Sequence, residues 1–476
     1  MRTETDSLGS LDVPDDAYYG IHTMRALDNF SITGEHAHPA LIKAILAIKL
    51  AAAKTNKAAG DLSAQVADPI IEAIETLLDQ PLNYDMFPLD PIQGGAGTSM
   101  NMNVNEVVAN LALELQGRDR GDYHAIHPND HVNHSQSTND VFPSAGKLAL
   151  IQNSQPLLGE LQSLITALGQ KADEFATIYK MGRTQLQDAV PMTLGNSFHA
   201  YLKPLRRDME RIEGAVAALH VLNLGGSAIG SGINVSYYYQ SHIIPELSQL
   251  TGLQLTQASD LFDATQNLDS FLALSAALKS LAVNLSKIAN DLRLLSSGPR
   301  SGLNEINLPA KQAGSSIMPG KVNPVIPEVV NQVAYEVIGN DATVTATVEA
   351  GQLELNAFEP VMLYRLFASL DHLTAAMATL RKNAIQGISP NRDQLHRDID
   401  LSASFATAMA NSIGYQAAAK LAKQALKTGR PLRDLAVESG QFSQAELEHI
   451  FAVGEIVENE RTPEHGLVLK RSGYTS

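Results

Sequence analysis

The residues best equipped for chemistry stand together at positions 314 to 324, Gly314-Ser315-Ser316-Ile317-Met318-Pro319-Gly320-Lys321-Val322-Asn323-Pro324. Glycine at 314 and 320 and proline at 319 interrupt helix and strand alike, so the string predicts a loop. Ser315, Ser316, Lys321 and Asn323 within it can all bind or move protons. Asn323 before Pro324 reads as a helix N-cap followed by proline at the first helical position. A loop ending on a helix N-terminus meets an anion with unpaired N–H groups and a favourable dipole. The combination predicts a mobile anion-handling lid. Taken alone, an ordinary helix connection fits it about as well.

Four more polar clusters interrupt apolar text: Gly97-Thr98-Ser99, Ser137-Thr138-Asn139-Asp140, the run 182–188 (Gly-Arg-Thr-Gln-Leu-Gln-Asp) and the run 296–307. Each of the first three is expected to sit before or at a long helix, where such residues usually serve as caps. Their density exceeds what capping needs. Helix N-termini that converged with two or three spare donors each would build a pocket for carboxylates.

The elements that must carry these clusters read as long helices. Leu157, Leu161, Leu164 and Leu168 step by four, three and four. Leu274, Leu278, Leu281, Leu285, Ile288, Leu292 and Leu295 alternate steps of four and three, an apolar seam over three heptads. Further helices are expected over 39–59, 66–79, 103–115, 138–178, 196–221, 328–349 and 358–385, with shorter ones over 402–427, 430–438 and 443–452. Residues 1–37 look turn-rich, with 15–23 wrapping the surface, and 124–137 looks irregular. Such narrow stripes need partner helices. No repeat of fixed period is present, which argues against a solenoid. Strand signals are sparse, so the fold class is mainly α.

The chain has 476 residues, 35 basic against 51 acidic side chains and a formal net charge of −16. No Lys/Arg-rich run marks a nucleic-acid surface. A dianionic ligand would need positive potential concentrated locally against that global field. With no cysteine, disulfides, thiolate-bound zinc and a thiol nucleophile are excluded. No apolar run of about 18 residues points to a membrane span, and no signal peptide is visible. The expected location is cytoplasmic. The glycine-rich run 225–232 lacks the Gly-Lys-Ser/Thr ending of a phosphate loop and is read as close backbone packing.

The string 314–324 matches the signature of the aspartase/fumarase superfamily, whose members release fumarate by cleaving C–N or C–O bonds. The segments 95–107, Ser137-Thr138-Asn139 and 183–188 resemble its other characteristic stretches, and the resemblance runs from about residue 11 to residue 390. Ala17-Tyr18-Tyr19-Gly20-Ile21-His22-Thr23-Met24-Arg25-Ala26, Gln185 and Ser137-Thr138-Asn139 are similar to the aspartase branch; fumarases and some aspartases carry histidine at the position of Gln185, other aspartases glutamine, and fumarases usually show Ser-Ser-Asn at 137–139. The text Ala410-Asn411-Ser412-Ile413-Gly414 lacks the proline of the branch's Asn-Pro-x-Ile-Gly element.

The resemblance implies a three-domain, mainly α fold: residues 1–137, a central long-helix bundle over 138–390 with the lid at 314–324, and a small helical unit over 391–476. It implies a homotetramer whose bundles merge into one core and whose sites draw on three subunits. The implied reaction is reversible deamination of L-aspartate to fumarate and ammonia without an organic cofactor. Ser315 is the implied base, removing the C3 proton as an alkoxide. Thr98, Ser137, Thr138 and Ser316 would hold the β-carboxylate and its aci form; Lys321, Asn323 and Thr184 the α-carboxylate; Asn139 and Gln185 would lie near the amino group or the α-carboxylate; Ser99 is a further implied substrate-binding residue. His127, Asn129 and Asp130 are similar to a secondary anion site of fumarases. No metal site is expected from spacing, His131 and His134 included, although some aspartases are activated by divalent metal. Fumarate hydration is the alternative reaction, and an inactive helical assembly the alternative class.

Overall fold

The computed structural model describes residues 1–451, 453, 459–462 and 466–469; the rest of the 391–476 unit lies outside the described residues. Every sheet among them is a two-stranded ribbon, and helices make up the rest of the framework. In chain order these are the hairpin β1 (Arg2–Asp6) and β2 (Gly9–Val13), then α1 (Ile21–Asn29), α2 (Pro39–Ala59), α3 (Ala64–Asp79), α4 (Thr98–Leu115) and α5 (Thr138–Glu174). A second hairpin, β3 (Tyr179–Thr184) and β4 (Gln187–Thr193), precedes α6 (Leu194–Ala218), α7 (Tyr237–Thr251), α8 (Leu261–Gln266) and α9 (Asp269–Leu295). After these come α10 (Val325–Glu349), α11 (Glu359–Asn383), α12 (Arg392–Leu401), α13 (Ala406–Ile413), α14 (Tyr415–Thr428), α15 (Leu432–Ser439) and α16 (Gln444–Ile450).

The chain forms two compact units. The first comprises Met1–Leu161, Arg207–Asn284 and Gln332–Ala376; the second comprises Gln162–Arg206, Leu285–Asn331 and Met377–Ser476. In the first, α2 packs on α3 and α7, and α4 packs on α1, α2 and α3. In the second, α12 to α16 close a small core of Ile399, Phe405, Met409, Leu432, Leu435 and Leu447.

The apolar seams do what their spacing predicts. All seven seam residues of α9 are buried, as are Leu157, Leu161, Leu164 and Leu168 of α5. The helix Asp269–Leu295 is long and apolar enough by composition to cross a membrane, yet 56% of its most apolar window is packed inside the protein.

Four local expectations are corrected. The run 182–188 lies in the β3–β4 hairpin and not in a helix cap, with Gln185 and Leu186 at φ of 53° and 64° in its turn. Residues 1–37 contain a hairpin and α1, whose Ile21, Thr23 and Ala26 are buried, so 15–23 does not simply wrap the surface. The stretch 402–427 is broken at Gly414, whose φ of 82° separates α13 from α14. Helix α10 starts one residue beyond Pro324, and Asn323 spends its amide on Gly314 O at 2.8 Å instead of capping. Residues 225–232 pack as read from the sequence: a Cβ on Gly230 would meet the Leu261 backbone at 2.5 Å.

Candidate functional site

In the first unit, α4 begins where only glycine fits. Gly97 has φ of 85°, and a Cβ there would lie 2.5 Å from the Phe142 ring. Gln93 Oε1 accepts the Met100 N–H at 3.1 Å. That side chain supplies a cap, so the Thr98 and Ser99 hydroxyls are not needed for one. Both line a cavity of about 820 Å³, together with His22, Arg25, His127 and Asn129.

Helix α1 is tied to this cavity by a buried carboxyl. Glu106 accepts N–H bonds from Gly20 (2.9 Å), His22 (2.8 Å) and Thr23 (3.2 Å), and the Thr23 hydroxyl at 2.6 Å. Burial pushes Glu106 up to about 7, against the pull of those donors. Burial also holds His22 below the usual histidine range. Arg25 forms a bidentate pair with Asp6 of the first hairpin, both contacts 2.8 Å. His22 and Arg25 are absent from the sequence-derived set. Their spacing of three on one helix face after Gly20 was the available signal.

His127 Nδ1 accepts the backbone N–H groups of Asn129 (3.1 Å) and Asp130 (3.2 Å) and thereby caps a π-helical turn over Pro128–Val132. The stretch 124–137, read as irregular, thus holds one regular turn between turns and coil. His131 Nδ1 accepts the His127 N–H at 2.9 Å. Among the described residues no group of three or more acidic or histidine side chains is disposed to hold a metal ion.

At the start of α5, Ser137 Oγ accepts the Asn139 N–H at 3.2 Å and so does cap the helix. Its hydroxyl hydrogen remains available. Thr138 Oγ1 accepts from Asn101 Nδ2 at 3.2 Å. Asn139 Nδ2 donates to Ala228 O at 2.7 Å, which commits that amide to the glycine-rich turn. Asp140 accepts N–H bonds from Ser137, Gly225 and Ser227 at 2.9–3.1 Å, fixing the same turn, while burial raises it to about 6.

In the second unit, buried Glu305 lies 2.6 Å from Lys180 Nζ and also pairs with Arg183. Arg183 approaches Asp398 as well, at 3.6 Å. These pairs anchor β3 just before the exposed turn that presents Thr184 and Gln185. Positive φ at two consecutive non-glycine residues is a strained arrangement of the kind found where a side chain must be aimed.

The loop 314–324 is closed at its base by the Gly314 N–H to Lys321 O bond at 2.8 Å and by the Asn323 amide on Gly314 O. Inside it, Ser315 Oγ accepts the backbone N–H groups of Ile317 (3.2 Å) and Met318 (3.0 Å). Donors aimed at an oxygen favour its ionised form. Ser316, Lys321 and the loop tip are exposed. Lys321 and Asn323 line a second cavity of about 680 Å³ with Arg293, a further cation that the sequence reading missed.

The structure therefore gathers Thr98, Ser99, His127 and Asn129 around one cavity, with Asp130 beside His127, and joins Ser137, Thr138 and Asn139 to α4 through Asn101. It gathers Ser315, Ser316, Lys321 and Asn323 in one loop, and Thr184 and Gln185 on one turn. The first two groups belong to the first unit and the last two to the second.

A family model described as lyase matches residues 9–339, and one described as fumarase C C-terminus matches residues 405–458. An aspartate ammonia-lyase of a Bacillus species is 47% identical, the match covering 94% of this chain and 96% of that one. The aspartate ammonia-lyase of Helicobacter pylori strain 26695 is 49% identical over 95% and 97%. Among solved structures, a fumarate lyase:delta crystallin from Brucella melitensis bound to cobalt superposes with a TM-score of 0.93 at 48% identity, covering 96% of this chain and 99% of that one. A class II fumarase from Schistosoma mansoni gives 0.90 at 34% identity, covering 96% and 98%.

Proposed function

The chain belongs to the aspartase/fumarase family of lyases, and from that premise we propose that it is an aspartate ammonia-lyase, interconverting L-aspartate with fumarate and ammonia. Ser315 acts as the general base. The observation that carries this mechanism is the pair of backbone N–H groups on Ser315 Oγ, within a loop closed at its base and exposed at its tip. A serine hydroxyl is a weak base, and preset donors are what lower the energy of its alkoxide.

Removal of the C3 proton places a second negative charge on the β-carboxylate, which becomes an aci-carboxylate. Thr98, Ser99, Ser137, Thr138 and Ser316 bind that group more strongly as the charge develops, which is where rate is gained. Lys321, Asn323 and Thr184 hold the α-carboxylate. Gln185 lies near the leaving amino group, with Asn139 held back as a bracket for the glycine-rich turn. Loop closure excludes water while the alkoxide exists. His127, Asn129 and Asp130 form a second anion subsite at the edge of the same cavity that holds Thr98.

The groups in the two units come together between copies of the chain in a cytoplasmic homotetramer. The long helices support this with large apolar side chains left exposed, Val283 and Leu294 on α9 and Val329, Tyr335 and Ile338 on α10. The three stretches 1–137, 138–390 and 391–476 serve as its domains.

The test is incubation with fumarate, with and without ammonia. Loss of fumarate absorbance only with ammonia supports the proposal. Loss without ammonia makes the protein a fumarase, and no loss in either makes it an inactive assembly.

A further inference from the structure

Behind Thr138 lies a buried polar chain that none of the substrate-binding assignments uses. Lys49 of α2 is wholly buried, and its Nζ lies 2.7 Å from Asn133 Oδ1. The same oxygen accepts from Asn101 Nδ2 and Asn105 Nδ2, each at 3.2 Å. Asn101 Nδ2 also lies 3.2 Å from Thr138 Oγ1. Asn101 and Asn105 are as buried as Lys49, and Thr138 is 8% exposed.

The direction of every bond in this chain follows from its first member. A lysine amine beside an amide donates to the oxygen, so the Asn133 atom facing Lys49 is Oδ1. Its Nδ2 is turned to Gln136 O at 3.2 Å, which fits that orientation. The Asn101 atom facing Asn133 Oδ1 must then be the nitrogen. That nitrogen reaches Thr138 as well, so it donates to Oγ1 and the threonine must accept. An accepting hydroxyl turns its own hydrogen away, and the Thr138 hydrogen has no acceptor among the described residues. It is left for a ligand.

We propose that Asn101, its amide orientation set by the Lys49–Asn133 pair, is a positioning residue that turns the Thr138 hydroxyl outward as a donor for a ligand carboxylate. The inference rests on the proposed function only in taking that carboxylate to belong to fumarate or aspartate. It supplies a reason for burying a lysine 2.7 Å from an amide oxygen, its ammonium in contact with no carboxylate among the described residues although the charge of Asp140 still acts on it. Loss of the amine would free Asn133, then Asn101, then the hydroxyl rotor.

The test is a double-mutant cycle on fumarate affinity, by calorimetry, and on turnover of aspartate. T138V removes the donor. N101D keeps the shape but presents only acceptors, which draws the Thr138 hydrogen inward. N101L leaves the rotor free and serves if N101D does not fold. The expected result is that T138V lowers kcat by about 10²–10³-fold, N101D by a similar factor and N101L by about tenfold, with KM changing less. The N101D/T138V double variant should be no worse than T138V alone. A double variant whose loss is the product of the two single losses overturns the inference, since a purely structural asparagine acts independently of the hydroxyl. If the wild type binds fumarate but leaves aspartate unchanged, the proposed reaction fails and the affinity cycle alone decides the positioning role. If it does not bind fumarate, both fail.

Discussion

The Met318 N–H donates to Ser315 Oγ at 3.0 Å, across three residues of one exposed loop. This bond, with its Ile317 counterpart, makes the serine oxygen an acceptor before any ligand arrives. The loop needs its shape for that. A Cβ on Gly314 would meet Lys321 O at 2.6 Å, in the bond that closes the loop base. G314A is therefore expected to lower kcat by about 10²-fold or more, on the scale that misplaced catalytic groups show. Thermal unfolding should be nearly unchanged, because the loop is exposed. Steady-state kinetics beside a melting curve checks this, and a large fall in melting temperature would assign the glycine to stability instead.

Glu305 is expected to matter for stability more than for binding. It sits between Lys180 and Arg183, and the Lys180 side chain is only 7% exposed. Removing one partner of such a buried pair leaves an uncompensated charge and typically costs about 3–5 kcal/mol. E305M should unfold at lower denaturant, and K180M/E305M should recover part of the loss. Equal midpoints for E305M and wild type would contradict the pairing.

Lys49 should make stability depend on pH in a direction opposite to an ion-paired lysine. Burial depresses it to about 7 in the folded protein, against the ordinary lysine value of 10.5. Between those values the unfolded chain binds more protons, so stability rises with pH. The burden is fully present below about pH 7 and gone above about pH 10.5. Relative to K49M, the wild type should gain a few kcal/mol on going from pH 7 to pH 10. Denaturant titrations of both proteins at several pH values measure the difference, and parallel curves would refute it.

The β3–β4 turn stores strain at Leu186, an exposed residue at φ of 64°. Glycine tolerates that conformation, while other residues lose about 1–2 kcal/mol there. After glycine's greater entropy loss, L186G should stabilise by about 0.5–1 kcal/mol. Unfolding midpoints decide it; a destabilised L186G would mean that the leucine side chain contributes more than the backbone strain removes.

The long helices were legible because an apolar residue every three or four positions repeats over many turns, and the seam of α9 is buried residue for residue. The β3–β4 hairpin was not. Met181 and Gly182 are both buried at a register shift, which erases the alternation of a half-buried strand, and Gln185-Leu186 is not turn text. The loop 314–324 was legible from glycine and proline, but not that Asn323 would close it instead of capping α10, since a carboxamide can do either. His22 and Arg25 lay three apart in a segment too short for that single spacing to repeat as a period. Their place beside Thr98 depends on Glu106, 86 residues from Gly20 in the chain.

The most direct measurement of the central assignment is turnover by S315A, with fumarate affinity measured on the same preparation. The expected result is a loss of at least about 10³-fold in kcat, within the range general-base catalysis supplies, with fumarate bound within a few fold of wild type. Aspartate deamination by S315A at close to the wild-type rate would contradict Ser315 as the base.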